Sequence, residues 1–142
     1  MTFDDTLDIT ALTSARQAYT NMMRRAEETE RKDENELEFY EFESVQAGLI
    51  QHFEFSYELS WKFMERFFVR EGLSTKMTRK ALFREALKFQ LILDFDEWVK
   101  YNDARNRTSH TYDEVTAEEV YLIAKEFFHE FKRFITALES LL

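Results

Sequence analysis

Apolar residues recur along most of this chain at the three- and four-residue intervals that place them on one face of a helix. This spacing predicts helices over about residues 8–31, 42–71 and 78–91, a fourth helix carrying Trp98, and a last helix opened by a capping-box pattern at Thr116. The last helix has the most regular apolar row, formed by Val120, Ala124, Phe127, Phe131, Phe134, Leu138 and Leu141. Alternation of four and three is typical of a bundle seam. The fold class predicted is all-α, an up-and-down bundle of four or five helices.

The second predicted helix is apolar around about two-thirds of its circumference and ends at Gly72, a residue suited to the left-handed conformation that follows many helices. Its thirty residues make roughly 45 Å, which exceeds the diameter of about 37 Å of a compact domain of this size. We therefore expect a second subunit to cover part of it. His52, Ser56 and Ser60 follow one another at intervals of four in the apolar arc. They indicate either a close helix contact, which Gly48 would also favour, or hydrogen bonding to polar residues of the fourth helix.

Composition favours one helical domain over residues 1–142. The chain has 44% hydrophobic residues, two glycines, no proline and no cysteine, so turn signals are few and disulfides, zinc–thiolate sites and cysteine nucleophiles are excluded. No apolar run approaches the roughly 18 residues of a membrane span, and the first residues are acidic rather than basic. We expect no membrane association and a cytoplasmic location.

The formal charge of −9 is concentrated in residues 27–44, which hold nine acids against two bases. Non-specific nucleic-acid binding depends on Lys and Arg that neutralise phosphates, so this charge argues against a general DNA or RNA coat while permitting one local basic site. In contrast to this acidic charge, one side of the third helix forms a cationic stripe. Four basic residues recur there at intervals of four, Lys76, Lys80, Arg84 and Lys88, and Arg79 adds a fifth. The stripe is either a solvated face or a surface for phosphate or for an acidic partner.

Polar residues occupy the face that Trp98 marks as buried on the fourth helix. Asn102, Arg105, Ser109 and Tyr112 continue the four-three spacing from Trp98. Polar atoms kept from water without partners cost roughly 1 to 3 kcal/mol each, so this row is either paired inside the protein or borders a cleft or interface. His110 lies just off the row.

The chemistry of this row suits phosphodiesters. Arg105 offers a planar, permanently charged fork for phosphate, and His110 can exchange a proton near neutral pH because the reference pKa of histidine is about 6.5. In RNA cleavage without a metal, His110 would take the 2′-hydroxyl proton and Arg105 would stabilise charge on the phosphate, while Asn102, Asn106 and Tyr112 orient the ligand. We expect no metal and no cofactor, because the sequence has no glycine-rich phosphate loop and no histidine pair at metal-ligand spacing. The acids at positions 54, 58 and 65 indicate a solvated stripe.

Two segments together resemble the nucleotidyltransferase substrate-binding protein family, which belongs to the HEPN superfamily: Q-A-G-L-I-Q-H-F-E-F-S-Y-E-L-S-W-K at 46–62 and D-A-R-N-R-T-S-H-T-Y-D-E at 103–114. The resemblance covers nearly the whole chain. It implies a HEPN-like bundle that forms a homodimer and serves as the non-polymerising, substrate-binding partner of a separate minimal nucleotidyltransferase, with a nucleotide or RNA as possible ligand.

The wider HEPN superfamily includes toxin ribonucleases with an Arg, His and Tyr motif, and Arg105, His110 and Tyr112 are similar to it in type and spacing. This resemblance implies an alternative function: a metal-independent ribonuclease toxin, related to HepT-type toxins, whose dimer brings two motifs together. It also implies that a partner nucleotidyltransferase could silence the toxin by adenylylating Tyr112.

Overall fold

A computed structural model of the protein describes residues 7–33, 40–73 and 77–142. Within these ranges the chain forms five α-helices and no strand: α1 (Thr10–Glu30), α2 (Glu41–Arg70), α3 (Arg79–Lys88), α4 (Phe95–Asn106) and α5 (Glu114–Leu141). A 3-10 turn, Thr108–His110, joins α4 to α5. The predicted all-α bundle is therefore confirmed.

The helix α2 is the centre of the bundle, since it contacts each of the other four α-helices. The long helices α1 and α5 pack along it. The short helices α3 and α4 cover its C-terminal half, and α4 also contacts α5. Close packing between α1 and α2 depends on Gly48, because a Cβ atom there would lie 3.0 Å from the terminal carbon of Met22. The close helix contact that Gly48 indicated is thus present.

An aromatic cluster fills the core where α2, α4 and α5 meet. The indole of Trp98 is fully buried and packs against the rings of Tyr57, Phe127 and Phe134 at centroid distances of 5.5 to 6.3 Å. Its Nε1 donates to Oε2 of Glu130 over 2.7 Å, which satisfies the one polar atom of the ring. Trp98 therefore anchors the helix that carries the polar row.

Helix ends follow local side-chain chemistry. Asp94, a residue type that favours the N-cap position, caps α4: its Oδ1 accepts from the backbone N–H of Glu97 over 3.1 Å. Gly72 follows α2 with a φ of 87°, the left-handed conformation predicted for it. The capping box predicted at Thr116 is wrong. The N-cap of α5 is Asp113, three residues earlier, because Oδ2 of Asp113 accepts from both the backbone N–H and the hydroxyl of Thr116.

The third helix is shorter than predicted. It ends at Lys88, and Gln90 adopts a φ of 60° so that the backbone N–H of Leu91 reaches the carbonyl of Ala86 over 2.9 Å. Helix periodicity over 78–91 predicts that Leu87 and Leu91 both face inward. Leu91 is buried, but Leu87 is 40% exposed, so the prediction is wrong for Leu87. The buried face of α3 consists of Leu82, Phe83 and Ala86, and Leu87 lies beyond its edge. None of the helices in the three described ranges is long and apolar enough to cross a membrane.

Candidate functional site

Arg105 occupies the last turn of α4 and is held by groups from two elements. Its Nε donates to Oε1 of Glu58 over 2.9 Å, and Nη2 lies 3.4 Å from Oε1 of Glu54. Its Nη1 donates to the hydroxyl of Thr108 over 3.0 Å, and that hydroxyl donates to the carbonyl of Arg105. The guanidinium is therefore fixed by two carboxylates of α2 and one hydroxyl of the 3-10 turn.

A groove of about 650 Å³ runs along α2 beside this guanidinium, and Arg105 forms part of its wall. The residues that line it are Gln51, His52, Glu54, Phe55, Glu58, Leu59, Lys62 and Arg105. A guanidinium has five N–H donors. The hydrogen bonds to Glu58 and Thr108 use two of them, so donors remain for a ligand in the groove.

Glu58 also fixes an aromatic side chain at this site. Its second oxygen, Oε2, accepts from Nε1 of Trp61 over 3.0 Å. The guanidinium of Arg79 lies over that indole, 3.3 Å from the ring centroid. A continuous set of contacts therefore runs from Arg79 through Trp61 and Glu58 to Arg105.

Asn102 lies one turn before Arg105 and accepts at Oδ1 from the hydroxyl of Tyr57 over 2.5 Å. Burial raises the pKa of Tyr57, and the neighbouring Arg79 only partly offsets this, so the phenol stays protonated and can donate. Of the two alternatives for the polar row, pairing inside the protein applies to Asn102, whose partner Tyr57 belongs to α2.

The polar row does not continue along one helix as predicted. Helix α4 ends at Asn106, because the N–H of Arg107 bonds to the carbonyl of Ala104 over 3.0 Å as well as to that of Asp103, which tightens the backbone toward the 3-10 turn. Ser109 consequently lies on the exposed turn rather than on the buried face, and Tyr112 is 85% exposed. The prediction that these two residues share the face of Trp98 is wrong.

His110 and Tyr112 stand together at the surface after this turn. Their rings meet edge to face, with centroids 6.1 Å apart and planes at 72°. Neither side chain forms a hydrogen bond within the described ranges, and the same is true of Asn106 and Ser109. The site thus has a fixed half, Arg105 with its carboxylates, and an exposed half, His110 with Tyr112, and no hydrogen bond or ion pair joins the side chains of the two halves among the described residues.

His52 lines the groove from α2 but bonds to none of the polar row. Its ring stacks on Tyr19 of α1 at 6.2 Å, and burial lowers its pKa, so the neutral imidazole is favoured. The hydroxyl of Ser60 donates to the backbone carbonyl of Ser56, whose own hydroxyl is buried without a partner in the described structure. Among the described residues, neither serine bonds to the polar row, so the hydrogen-bonding interpretation of this row is not met.

The predicted cationic stripe is only partly described. Lys76 lies outside the described residues. Lys80 and Arg84 are exposed on α3 and take part in no ion pair within the described chain, whereas Lys88 pairs with Glu85 over 3.0 Å. Arg84 lies 5.3 Å from the ring of Phe95.

A second groove, of about 590 Å³, adjoins Tyr112 between the first turns of α2 and the start of α5. Its lining includes Phe42 and Ile50, and its rim carries Glu114 and Glu118. The motif tyrosine thus stands beside an acidic, partly apolar groove that is distinct from the Arg105 groove.

Sequence reasoning missed the residues that hold Arg105. The sequence indicates a solvated stripe for Glu54 and Glu58, yet both contact the guanidinium. The available signal was their spacing of four within the same segment that resembles the family. Among the described residues no group of three or more His, Asp or Glu side chains could hold a metal ion.

The fold and this site define a helical-bundle protein whose Arg, His and Tyr motif begins in the last turn of α4, beside a groove, and continues into the connection to α5. The chain belongs to the family described as nucleotidyltransferase substrate binding protein like, whose model matches residues 9–140.

A curated protein and a solved structure, both from Haemophilus influenzae, are similar to it. A curated relative named probable ribonuclease HepT is 47% identical over 88 residues, which cover 59% of this chain and 60% of the relative. The matched region thus spans less than two-thirds of that protein. A solved structure, described as revealing the fold of a substrate binding domain of a nucleotidyltransferase, has a TM-score of 0.78 and 33% identity and covers 90% of this chain and 98% of its own.

Proposed function

We propose that this protein is the helical, non-polymerising partner of a minimal nucleotidyltransferase and that it is itself a metal-independent ribonuclease regulated by that partner. Membership of the substrate-binding family supports the first part, and the similarity to a probable ribonuclease supports the second. The protein would act in a two-protein system whose other chain supplies nucleotide transfer.

The observation that carries the ribonuclease proposal is the geometry of Arg105. Glu58 and Thr108 each take one N–H of the guanidinium, and Arg105 still forms part of the groove wall. Donors fixed in place before a ligand binds stabilise developing charge without reorganising, and this is the main source of catalysis in phosphoryl-transfer sites. The fixed guanidinium of Arg105 would therefore stabilise the negative charge of a phosphorane bound next to the groove.

His110 supplies the proton chemistry in this proposal. It takes the proton of a ribose 2′-hydroxyl, the 2′ oxygen attacks phosphorus, and the bond to the 5′ oxygen breaks to leave a 2′,3′-cyclic phosphate. In a homodimer that brings two motifs together, the second His110, protonated, donates to the departing 5′ oxygen. No metal is needed at any step.

Tyr112 is the proposed point of control. Its side chain is 85% exposed and its hydroxyl has no hydrogen-bond partner in the described residues, so a nucleotidyltransferase could reach it. Transfer of AMP to this hydroxyl would place a bulky anion beside His110, whose ring contacts that of Tyr112. The added charge would repel RNA from the motif.

The test is cleavage of end-labelled RNA in EDTA by wild type, Arg105→Ala, His110→Ala and His129→Ala. His129 is an exposed histidine of α5 outside the site, which makes its variant the matched control. We expect wild type and His129→Ala to cleave equally and the other two to be inactive. Cleavage by His110→Ala at the wild-type rate would exclude the mechanism.

One observation favours a second candidate, a non-enzymatic substrate-binding subunit. Two carboxylates, Glu54 and Glu58, surround the single guanidinium of Arg105, so the net charge at the groove is not positive. Absence of cleavage by folded wild type that still binds its nucleotidyltransferase partner would support this candidate and exclude the ribonuclease.

A further inference from the structure

A cationic and aromatic patch adjoins the Arg105 groove at the C-terminal half of α2. We define it as Phe55, Trp61 and Lys62 of α2 with Arg79 at the start of α3. Phe55 and Lys62 line the groove itself, and Trp61 is joined to the groove by its hydrogen bond to Glu58. The patch and the groove therefore form one surface.

The cations of this patch lack acidic partners. Lys62 and Arg79 both lie over the indole of Trp61, at 5.6 Å and 3.3 Å from its centroid, and neither takes part in an ion pair within the ranges that the structure describes. Arg105 and Lys88, by contrast, are paired with carboxylates. In a chain of net charge −9, two adjacent unneutralised cations are a local site for phosphate.

The aromatic members are placed to stack on bases. Phe55 is 57% exposed although it lies in the middle of the most buried helix, and burying it would be favourable. Trp61 is only partly buried, and its indole is held in place by Glu58 at one edge and by the guanidinium of Arg79 on one face. Stacking on fixed aromatic rings contributes about 1 to 3 kcal/mol per base in single-strand binding sites.

The acids in the groove limit where phosphates can lie. Glu54 and Glu58 would repel an RNA backbone that passed directly over them, although their ion pairs with Arg105 partly neutralise their charge. Bases over Phe55 and phosphates over Lys62 and Arg79 avoid this repulsion. Residues 51–62 extend about 17 Å along α2, so the surface accommodates several linked nucleotides rather than one.

We propose that this patch binds the single-stranded RNA flanking the scissile phosphate, with Lys62 and Arg79 contacting phosphates and Phe55 and Trp61 stacking on bases. The proposal rests on the proposed ribonuclease function, because it places the RNA on the surface that leads away from Arg105. It assigns substrate binding to residues outside the Arg, His and Tyr motif.

The experiment measures binding and cleavage separately. Binding of fluorescein-labelled oligouridylate to the His110→Ala protein is followed by anisotropy, with Lys62→Gln plus Arg79→Gln as the test pair. The control pair is Arg24→Gln plus Arg25→Gln, two exposed α1 cations without ion pairs in the described chain. These two arginines follow Met22, which packs against Gly48 of α2. Gly48 lies thirteen residues before Trp61, or about 20 Å along the helix.

We expect the test pair to weaken binding at least tenfold and the control pair to change it less than twofold. The slope of log affinity against log salt should become shallower by about 0.7 for each lost phosphate contact. Quenching of tryptophan fluorescence by RNA should report on Trp61, since the other tryptophan, Trp98, is fully buried. Phe55→Ala, which removes an exposed ring, tests stacking without disturbing the core.

Equal affinity and salt slope for the test and control pairs would overturn this proposal, as would a test pair that binds RNA normally but no longer binds a nucleotidyltransferase partner. Failure of the proposed function gives a different result. RNA binding that depends on Lys62 and Arg79, without cleavage by the protein that retains His110, would support the RNA surface and exclude the ribonuclease.

Discussion

The replacement Glu58→Gln tests whether Arg105 acts through its fixed orientation. Glu58 accepts from Nε of Arg105 and from Nε1 of Trp61, one bond to each carboxylate oxygen. A glutamine of the same shape has one acceptor oxygen and one N–H₂ donor, so it cannot accept from both. One of the two donors loses its partner and the charge that attracts Arg105 disappears.

The effect on stability should be small and the effect on cleavage large. Hydrogen bonds to charged groups contribute about 1.5 to 3 kcal/mol when buried, whereas exposed ion pairs contribute about 0.2 to 1 kcal/mol. Both side chains of this pair are 29% exposed, so we expect a loss of about 1 kcal/mol, or about 3 to 4 °C in Tm. Misplacing a catalytic group by about 1 Å can lower a rate by about 100-fold, so cleavage should fall by about 10- to 100-fold.

The assay combines thermal unfolding with single-turnover RNA cleavage. Glu65→Gln is the matched control, since Glu65 is a partly buried α2 residue that forms no ion pair within the described ranges. It should leave both quantities unchanged. If Glu58→Gln cleaves at the wild-type rate while Arg105→Ala is inactive, the reasoning that Glu58 positions Arg105 is wrong.

Three further predictions concern the stability of the bundle. Burial lowers the pKa of His52, so the folded protein disfavours its protonated form, and the free energy of unfolding falls as pH drops below the reference pKa of about 6.5. In urea unfolding measured above and below that value, His52→Gln should lose less free energy of unfolding at the lower pH than wild type. Equal pH dependence in both proteins would contradict this. Trp98→Ala removes a fully buried indole and leaves Glu130 without its donor, and should lower the free energy of unfolding by about 3 to 5 kcal/mol in guanidinium titrations. Asp113→Ala removes the N-cap of α5 and should lower it by about 1 kcal/mol, whereas Asp113→Asn should recover most of that loss; equal melting of all three proteins would exclude the cap.

The bundle could be predicted from the sequence because helix burial leaves a periodic pattern. The predicted seam is buried at each of its positions from Val120 to Leu138, whereas its last member, Leu141, is 49% exposed. Asp94 caps the start of α4 and Gly72 follows the end of α2, as the chemistry of each residue indicates. Errors arose where two local hydrogen-bonding options compete. Asp113 and Thr116 both suit an N-cap, and only the backbone geometry decides that Asp113 takes this position.

The site was predicted less completely, because its arrangement depends on contacts between distant segments. The motif residues were visible in the sequence, but the break after Asn106 comes from backbone bonds of Arg107 that no periodicity reports. Glu58 and Arg105 form a hydrogen bond although they are 47 residues apart in the sequence. The polar stripe of α2 alone does not show which residue of α4 Glu58 contacts. Arg79 likewise belonged to a predicted cationic stripe, but its stacking on Trp61 becomes evident only when α3 is placed against α2.

The most direct test of the ribonuclease proposal is the chemistry of the RNA ends that the protein produces in EDTA. Mass spectrometry of the products should show a 2′,3′-cyclic phosphate and a 5′-hydroxyl, and a single 2′-deoxy substitution at the cleaved nucleotide should stop cleavage there. Both results require attack by the 2′-hydroxyl, and loss of these products in His110→Ala and Arg105→Ala would assign its activation to these two residues. Products with a 3′-hydroxyl and a 5′-phosphate, or cleavage at the 2′-deoxy position, would contradict the account.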